Sequence, residues 1–248
     1  MGEITRIWPF RSHGSRPAFE LTIREPPLTG DHLGLKTWGS SYVLAQLLPR
    51  FAATSFSHLF PLGRTEPSVL ELGSGTGLLG MSAACAWAAS VVLTDLPAIV
   101  PNLAHNADRN RDTVESLGGD VSAAPLTWGG STEESDARFQ DRHRFKLVLA
   151  ADPLYDDEHP GLLAGTIHSQ LALDRDGRAL VMIPKRDGTT HRLMSSFREA
   201  MSSQPSPLLC VEEGVMPGRD DWGEDDDEPQ SIDCWWGVFR RRQCVGFL

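Results

Sequence analysis

The sequence has no cysteine pair at metal or redox spacing, no long apolar run, and too little positive charge to balance its acids. Its four cysteines, Cys85, Cys210, Cys234 and Cys244, form no CxxC and make no ligand pattern with the histidines. Reduced thiols in an intracellular protein are the expectation, and no metal site is expected. No stretch is long and apolar enough to span a bilayer, and the N-terminus lacks a secretory pattern. Arg6 stands where a myristoylation signal needs a hydroxyl, and Cys244 is one residue too far from the end for prenylation. The expected setting is cytoplasmic or nuclear, without a membrane partner. Lysine and arginine number 23 against 33 acids, a formal charge of −10. A nucleic-acid binder needs a basic footprint, so that class is disfavoured and a basic protein partner is favoured. No internal repeat is visible. A length of 248 residues, 40% of them hydrophobic, fits one α/β domain with decorations, expected to be monomeric.

What is present is a glycine cluster, Val69-Leu70-Glu71-Leu72-Gly73-Ser74-Gly75-Thr76-Gly77-Leu78-Leu79-Gly80. An apolar run enters it and a small-residue helical pattern, Met81 to Ala89, leaves it, which is the strand–turn–helix context of a nucleotide-binding turn. Two registers compete. Gly75-x-Gly77-x-x-Gly80, with Asp95 beyond it, matches a dinucleotide fingerprint and a nicotinamide cofactor. That register leaves Gly73 and Ser74 surplus after the strand. Glu71-x-Gly73-x-Gly75-x-Gly77 uses every glycine between the strand and Leu78, explains the acid in the strand, and is favoured.

The N-terminal 31 residues read as a hairpin or two edge strands, Glu3 to Phe10 and Phe19 to Arg24, around a turn at Arg11 to Pro17. Residues 1–36 are taken as an extension and 37–248 as the main domain. Ser40 or Ser41 is an N-cap candidate for a helix from Tyr42 to Phe51. Trp38, just before it, is either core packing or a wall beside a bound cofactor. Ser90 to Thr94 is a β-branched strand ending at Asp95, whose carboxylate at a cleft edge can accept two ribose hydroxyls. In the following helix, Ala98 to Arg109, Asn102 and Asn106 share a face and read as solvated amides. Asp120 to Leu126 is a third strand, delivering Thr127-Trp128-Gly129-Gly130 to the sheet edge. Residues 131–144 read as a surface insertion or disordered loop.

The strand Phe145 to Ala151 delivers Asp152-Pro153-Leu154-Tyr155 to the same edge. A helix from Gly161 to Leu173, a strand from Gly177 to Pro184 and a helix from Thr190 to Ser202 follow. Two closing strands, Leu208 to Glu213 and Cys234 to Arg241, enclose a second insertion near 217–231 with an acidic run from Asp220 to Glu228. The run reads as solvated chain, or as an attractor for basic substrate surface. The pattern predicts an α/β, mostly parallel sheet with an antiparallel edge.

The glycine turn, Asp95, Leu126-Thr127-Trp128-Gly129 and Asp152-Pro153-Leu154-Tyr155 together resemble methyltransferase family 16. The resemblance covers about residues 35–185, with Trp38 before a helix also in keeping. It implies a Rossmann-like, seven-stranded class I methyltransferase fold and S-adenosylmethionine as cofactor. It also implies transfer of a methyl group to a lysine of a cytosolic protein. Pro153 and Glu158-His159-Pro160 are similar to fungal members that modify translation elongation factors. By this resemblance Glu71, Gly73, Ser74, Gly75 and Gly77 serve the methionine and ribose side, and Asp95 with Leu96 the ribose. Trp128 would lie by the adenine, Trp38 and Ala151 would wall the pocket, and Asp152 with Tyr155 would face the acceptor amine. The tetrad also resembles the Asp-Pro-Pro-Tyr signature of enzymes methylating adenine or glutamine, with Leu154 in place of the second proline. A non-catalytic scaffold is the remaining alternative.

Overall fold

The computed structural model describes residues 2–27, 33–60, 68–130, 134–220 and 231–242. A seven-stranded sheet runs through it in the order β5-β4-β3-β6-β7-β9-β8. Its strands are β3 (Val69–Leu72), β4 (Ser90–Asp95), β5 (Asp120–Pro125), β6 (Leu147–Ala151), β7 (Arg178–Pro184), β8 (Leu208–Arg219) and β9 (Ser231–Arg241). The first five run parallel to one another, and β9 runs antiparallel to both β7 and β8. This is the mostly parallel sheet with an antiparallel edge that the pattern predicts.

The middle strands are apolar on both faces, as strands covered by helices on each side must be. Their period of two splits the core in half. Val69, Leu147, Leu149, Leu180 and Met182 point into one cluster, packed with α1 (Gly39–Ala53) and α2 (Leu78–Trp87). Leu70, Leu72, Val148, Ala150, Val181 and Ile183 point into the other, packed with α5 (His159–Gln170) and α6 (Gly188–Ser202). Between β4 and β5 lie α3 (Val100–Arg109) and α4 (Arg111–Ser116).

The N-terminal strands β1 (Ile4–Phe10) and β2 (Phe19–Glu25) form the expected hairpin, separate from the large sheet. It is fastened by asparagines, and two of them, Asn102 and Asn106, correct the expectation of solvated amides; Asn110 is a further one that the sequence reading did not single out. Asn106 and Asn110 are buried. Asn106 accepts from Arg24 N at 2.9 Å and donates to Arg24 O at 3.1 Å. Asn110 does the same for Thr22, at 2.8 Å each way. Two side-chain amides thus stand in for a neighbouring strand along the outer edge of β2. Asn102, also buried, adds a longer bond to Arg24 O at 3.3 Å.

Three further expectations change. Neither Ser40 nor Ser41 caps α1, which begins at Gly39 after Trp38 without a side-chain cap. Ser41 instead bonds back to Trp38 O, and Ser40 turns toward Asp152. Within 131–144, Ala137–Phe139 forms a 3-10 turn capped by Asp136, because Phe139 is buried in the core. Residues 131–133 lie outside the described residues. The last strand pair is longer than read, with β8 continuing to Arg219. Of the acidic run only Asp220 is described; 221–230 lie outside the described residues.

Candidate functional site

In open α/β sheets ligands bind beyond the carboxyl ends of the strands, where the strand order reverses. Here a cavity of about 580 Å3 opens at that place, around the ends of β3, β4, β5 and β6. Every site residue expected from the sequence lines it except Gly77.

One side is the glycine turn. Gly73, Gly75 and Gly77 have φ of 65°, 55° and 88°, the left-handed region that side chains resist. A Cβ on Gly73 would stand 3.3 Å from the Trp128 ring, and one on Gly75 would stand 3.1 Å from Gly34 O. Gly77 serves the fold: it leads into α2, and a Cβ there would meet Leu103 at 2.7 Å. Ser74 stitches the turn to β4, donating its N–H to Thr94 O and accepting from Thr94 N. Thr76 O takes a bond from Asn106, so the asparagines that hold the hairpin also hold this turn.

Asp95 accepts from Gly75 N through Oδ2 (2.8 Å) and from Leu96 N through Oδ1 (2.7 Å). A carboxylate has about four lone-pair sites, so about two remain open toward the cavity. Withdrawal from water raises its pKa, against those two backbone bonds. Glu71 lies deeper. Burial pushes its carboxyl up to about 8, although Ser74 and the Gly80 N–H, 3.1 Å from Oε2, favour the charged form.

The opposite side carries the tetrad. Asp152 follows β6 with φ of 55°, uncommon for a residue with a side chain, and its N–H bonds Met182 O on β7. Its carboxylate is 8% exposed and receives both terminal nitrogens of Arg186, one of them at 2.7 Å from Oδ1. Ser40 donates to Oδ2 at 3.3 Å. Arg186 Nε also bonds Asp220 at 2.5 Å, at the end of β8. Burial opposes the guanidinium charge, yet the carboxylates of Asp152 and Asp220 hold it protonated beyond the ordinary arginine range.

Arg186 was not a sequence candidate. It sits in the polar turn between Pro184, which ends β7, and Asp187, which caps α6 reciprocally with Thr190. Nothing local marks it; its partners are 34 residues away on either side.

Trp38 is part of the cavity wall. Its ring meets the Arg186 guanidinium at 5.3 Å and Lys36 Nζ at 5.0 Å. The segment is locked from behind: a Cβ on Gly39 would fall 1.7 Å from Arg219 O, and Gly39 N bonds Asp220 O at 3.5 Å. Thr37 N bonds the buried Glu25 of β2, and Thr37 Oγ1 lies 2.8 Å from Thr76 Oγ1. The hairpin, the start of α1 and the glycine turn are therefore one hydrogen-bonded unit.

Tyr155, 60% exposed, forms an aromatic rim with His159, ring centroids 4.2 Å apart, and His159 in turn meets Trp128 at 5.8 Å. Burial lowers the His159 pKa despite Asp156, which leaves a neutral imidazole at pH 7. Burial, with Asp95 and Asp156, raises that of Tyr155 and keeps it a neutral donor. His159 was noted in the sequence only as a neighbour of the tetrad. Among the described residues, no cluster of His, Cys, Asp and Glu is arranged to hold a metal.

A family model described as lysine methyltransferase, Methyltransf_16, matches residues 16–203. The chain is 36% identical over 216 residues to protein-lysine N-methyltransferase EFM2 of Saccharomyces cerevisiae, covering 82% of this chain and 48% of that protein. It is 34% identical over 167 residues to protein-lysine N-methyltransferase rrg1 of Schizosaccharomyces pombe, covering 67% and 52%. The chain thus spans about half the length of these two curated relatives. Among solved structures, an archaeal protein of Pyrococcus horikoshii described as an RNA methyltransferase superposes with a TM-score of 0.53 at 12% identity, over 84% of this chain and 88% of that one. At that identity the likeness is one of fold alone.

Proposed function

The chain belongs to the Methyltransf_16 family of lysine methyltransferases, and from that premise we propose that it transfers a methyl group from S-adenosylmethionine to a lysine of another protein. The observation that carries this reading is a single cavity with the glycine turn and Asp95 on one side and the Asp152 tetrad on the other. The site fits the cofactor on its own chemistry. The φ-positive glycines leave a cradle that any Cβ would fill, and the open lone pairs of Asp95 call for donors such as a ribose diol. Trp128 offers an apolar ring beside Gly73 for an adenine. When bound, S-adenosylmethionine supplies an electrophilic methyl carbon on sulfur.

The residues' task is to present a lysine nitrogen with a free lone pair to that carbon. An ammonium with a pKa near 10.4 has no free lone pair, so the acceptor gives a proton to solvent before attack. Placement and exclusion of water then carry the rate. Arg186 and Ser40 take about three of the four lone-pair sites of Asp152, leaving one on Oδ1 for an amine N–H. Tyr155 and His159 form a rim along which the aliphatic stem can lie.

The substrate is a protein offering its lysine on a basic surface, in keeping with the net charge of −10, and a translation elongation factor is the class we favour. We take the hairpin as an accessory extension of a monomeric, cytoplasmic enzyme. No helix among the described residues is long and apolar enough to cross a membrane. The test pairs calorimetry with turnover. Asp152→Ala keeps its affinity for S-adenosylhomocysteine and loses about 100-fold in methylation rate. Full activity in that variant overturns the assignment of Asp152, and loss of cofactor binding moves it to the other half of the site.

A further inference from the structure

We propose that Arg186 is a positioning residue which cancels the charge of Asp152, so that the acceptor lysine enters a site that does not hold it as ammonium. This rests on the reading of the cavity as a lysine methyltransferase site.

A bare carboxylate beside the acceptor would be a mixed asset. It would draw the substrate in, but an opposite charge at close range favours the charged form of an amine, which has no lone pair to attack with. The structure shows a different arrangement. Both Asp152 oxygens are engaged by one guanidinium, in the two-pronged geometry that suits arginine and not lysine. The pair is largely withdrawn from solvent, where its mutual compensation is least screened. Arg186 is itself held from three directions: Asp152 after β6, Asp220 after β8, and the face of Trp38 before α1. It therefore cannot swing into the cavity to compete for the acceptor's place without breaking all three contacts.

Other charged groups face the pair from the surrounding elements. Asp220 closes the end of β8, and Lys36 lies over the same Trp38 ring. Asp233 and the buried Cys234, its thiol pushed up to about 11 by burial, come from β9. Lys185 and Asp187 flank Arg186 in the chain, and Glu71, Asp95, Tyr155 and His159 lie on other parts of the cavity wall. Of the bonds made by Arg186 side-chain nitrogens, those to Asp152 are the ones that reach the tetrad. Removing Arg186 alone thus leaves Asp152 as an uncompensated anion at the acceptor end.

The experiment follows the rate of labelled methyl transfer into a yeast cytosolic extract from pH 6.5 to 10, reading the labelled protein band. S-adenosylhomocysteine affinity serves as the control for folding. In Arg186→Met the midpoint of the alkaline rise in kcat, which reports the bound acceptor, moves up by about one pH unit, and near neutral pH kcat falls more than KM rises. Adding Asp152→Asn to that variant returns the midpoint to the wild-type position. Arg186→Lys keeps the positive charge, so its midpoint stays while turnover falls, and it carries the test should the methionine variant fail to fold. A uniform loss of rate with an unmoved midpoint in Arg186→Met overturns the proposal, as does a displaced midpoint in Arg186→Lys. A wild-type protein that binds S-adenosylhomocysteine but labels no band overturns the methyltransferase reading itself, and the proposal with it.

Discussion

Glu71 shows how far a single side chain can depart from its solution chemistry. Its carboxyl, pushed up to about 8, is mostly neutral at pH 7, whereas in the unfolded chain it ionises near 4.3. The folded state therefore binds more protons than the unfolded state between those values, and stability falls as pH rises through that window. Between pH 6 and pH 8 the loss is about 2 kcal/mol, flattening above the folded pKa. Urea titrations of wild type and Glu71→Gln at both pH values check this: the amide keeps a partner for Gly80 N–H and loses the pH dependence. An equal pH dependence in the two proteins would show that another group is responsible. At this scale the sequence was legible wherever a residue answers to its own backbone. Gly73 and Gly75 stand in φ-positive positions that favour their residue type, and Asp95 caps its own strand end. Arg186 was not legible, because its role comes from carboxylates and a ring brought together by three separate segments.

The hairpin and α3 carry the same lesson to the level of elements. The strands β1 and β2 were readable as extended stretches around a turn, and the four-residue spacing of Asn102 and Asn106 was visible along the helix. What the spacing could not reveal was its partner, since an i,i+4 row of amides looks the same facing water or facing a strand edge. Asn106→Ala removes the bonds it makes to Arg24 N, Arg24 O and Thr76 O, leaving Arg24 O its longer bond from Asn102, and should cost about 3 kcal/mol. Asn102→Ala, which removes one long bond, should cost under about 1 kcal/mol. Urea midpoints separate these outcomes from the roughly 0.5 kcal/mol or less expected of solvated surface amides. Phe139 misled in the opposite sense: one aromatic in a polar stretch was enough to fold Ala137–Phe139 onto the core.

For the molecule as a whole, a mostly parallel sheet with an antiparallel edge followed from alternating strand and helix patterns, whereas the order of the strands did not. The cofactor register is open to a direct test. A ligand that binds only the folded state stabilises it by about 2.7 kcal/mol at a hundredfold excess over Kd. For a chain of this size that raises Tm by about 5–10 °C. S-adenosylhomocysteine should give this shift and NAD none, and the reverse result would restore the dinucleotide register. The cavity also has a history in time. Its glycine turn and asparagine ladder are built from the first 110 or so residues, while the wall behind Trp38 depends on a contact between Gly39 and Asp220, roughly 180 positions apart. Closing so long a loop is slow relative to local pairing, and a chain emerging from its N-terminus has nothing to close it with until the last strand pair is made. On the proposed reading, the half assigned to a nucleoside is thus built before the half assigned to an acceptor side chain, and a nascent chain would have no acceptor end until β8 and β9 have joined the sheet.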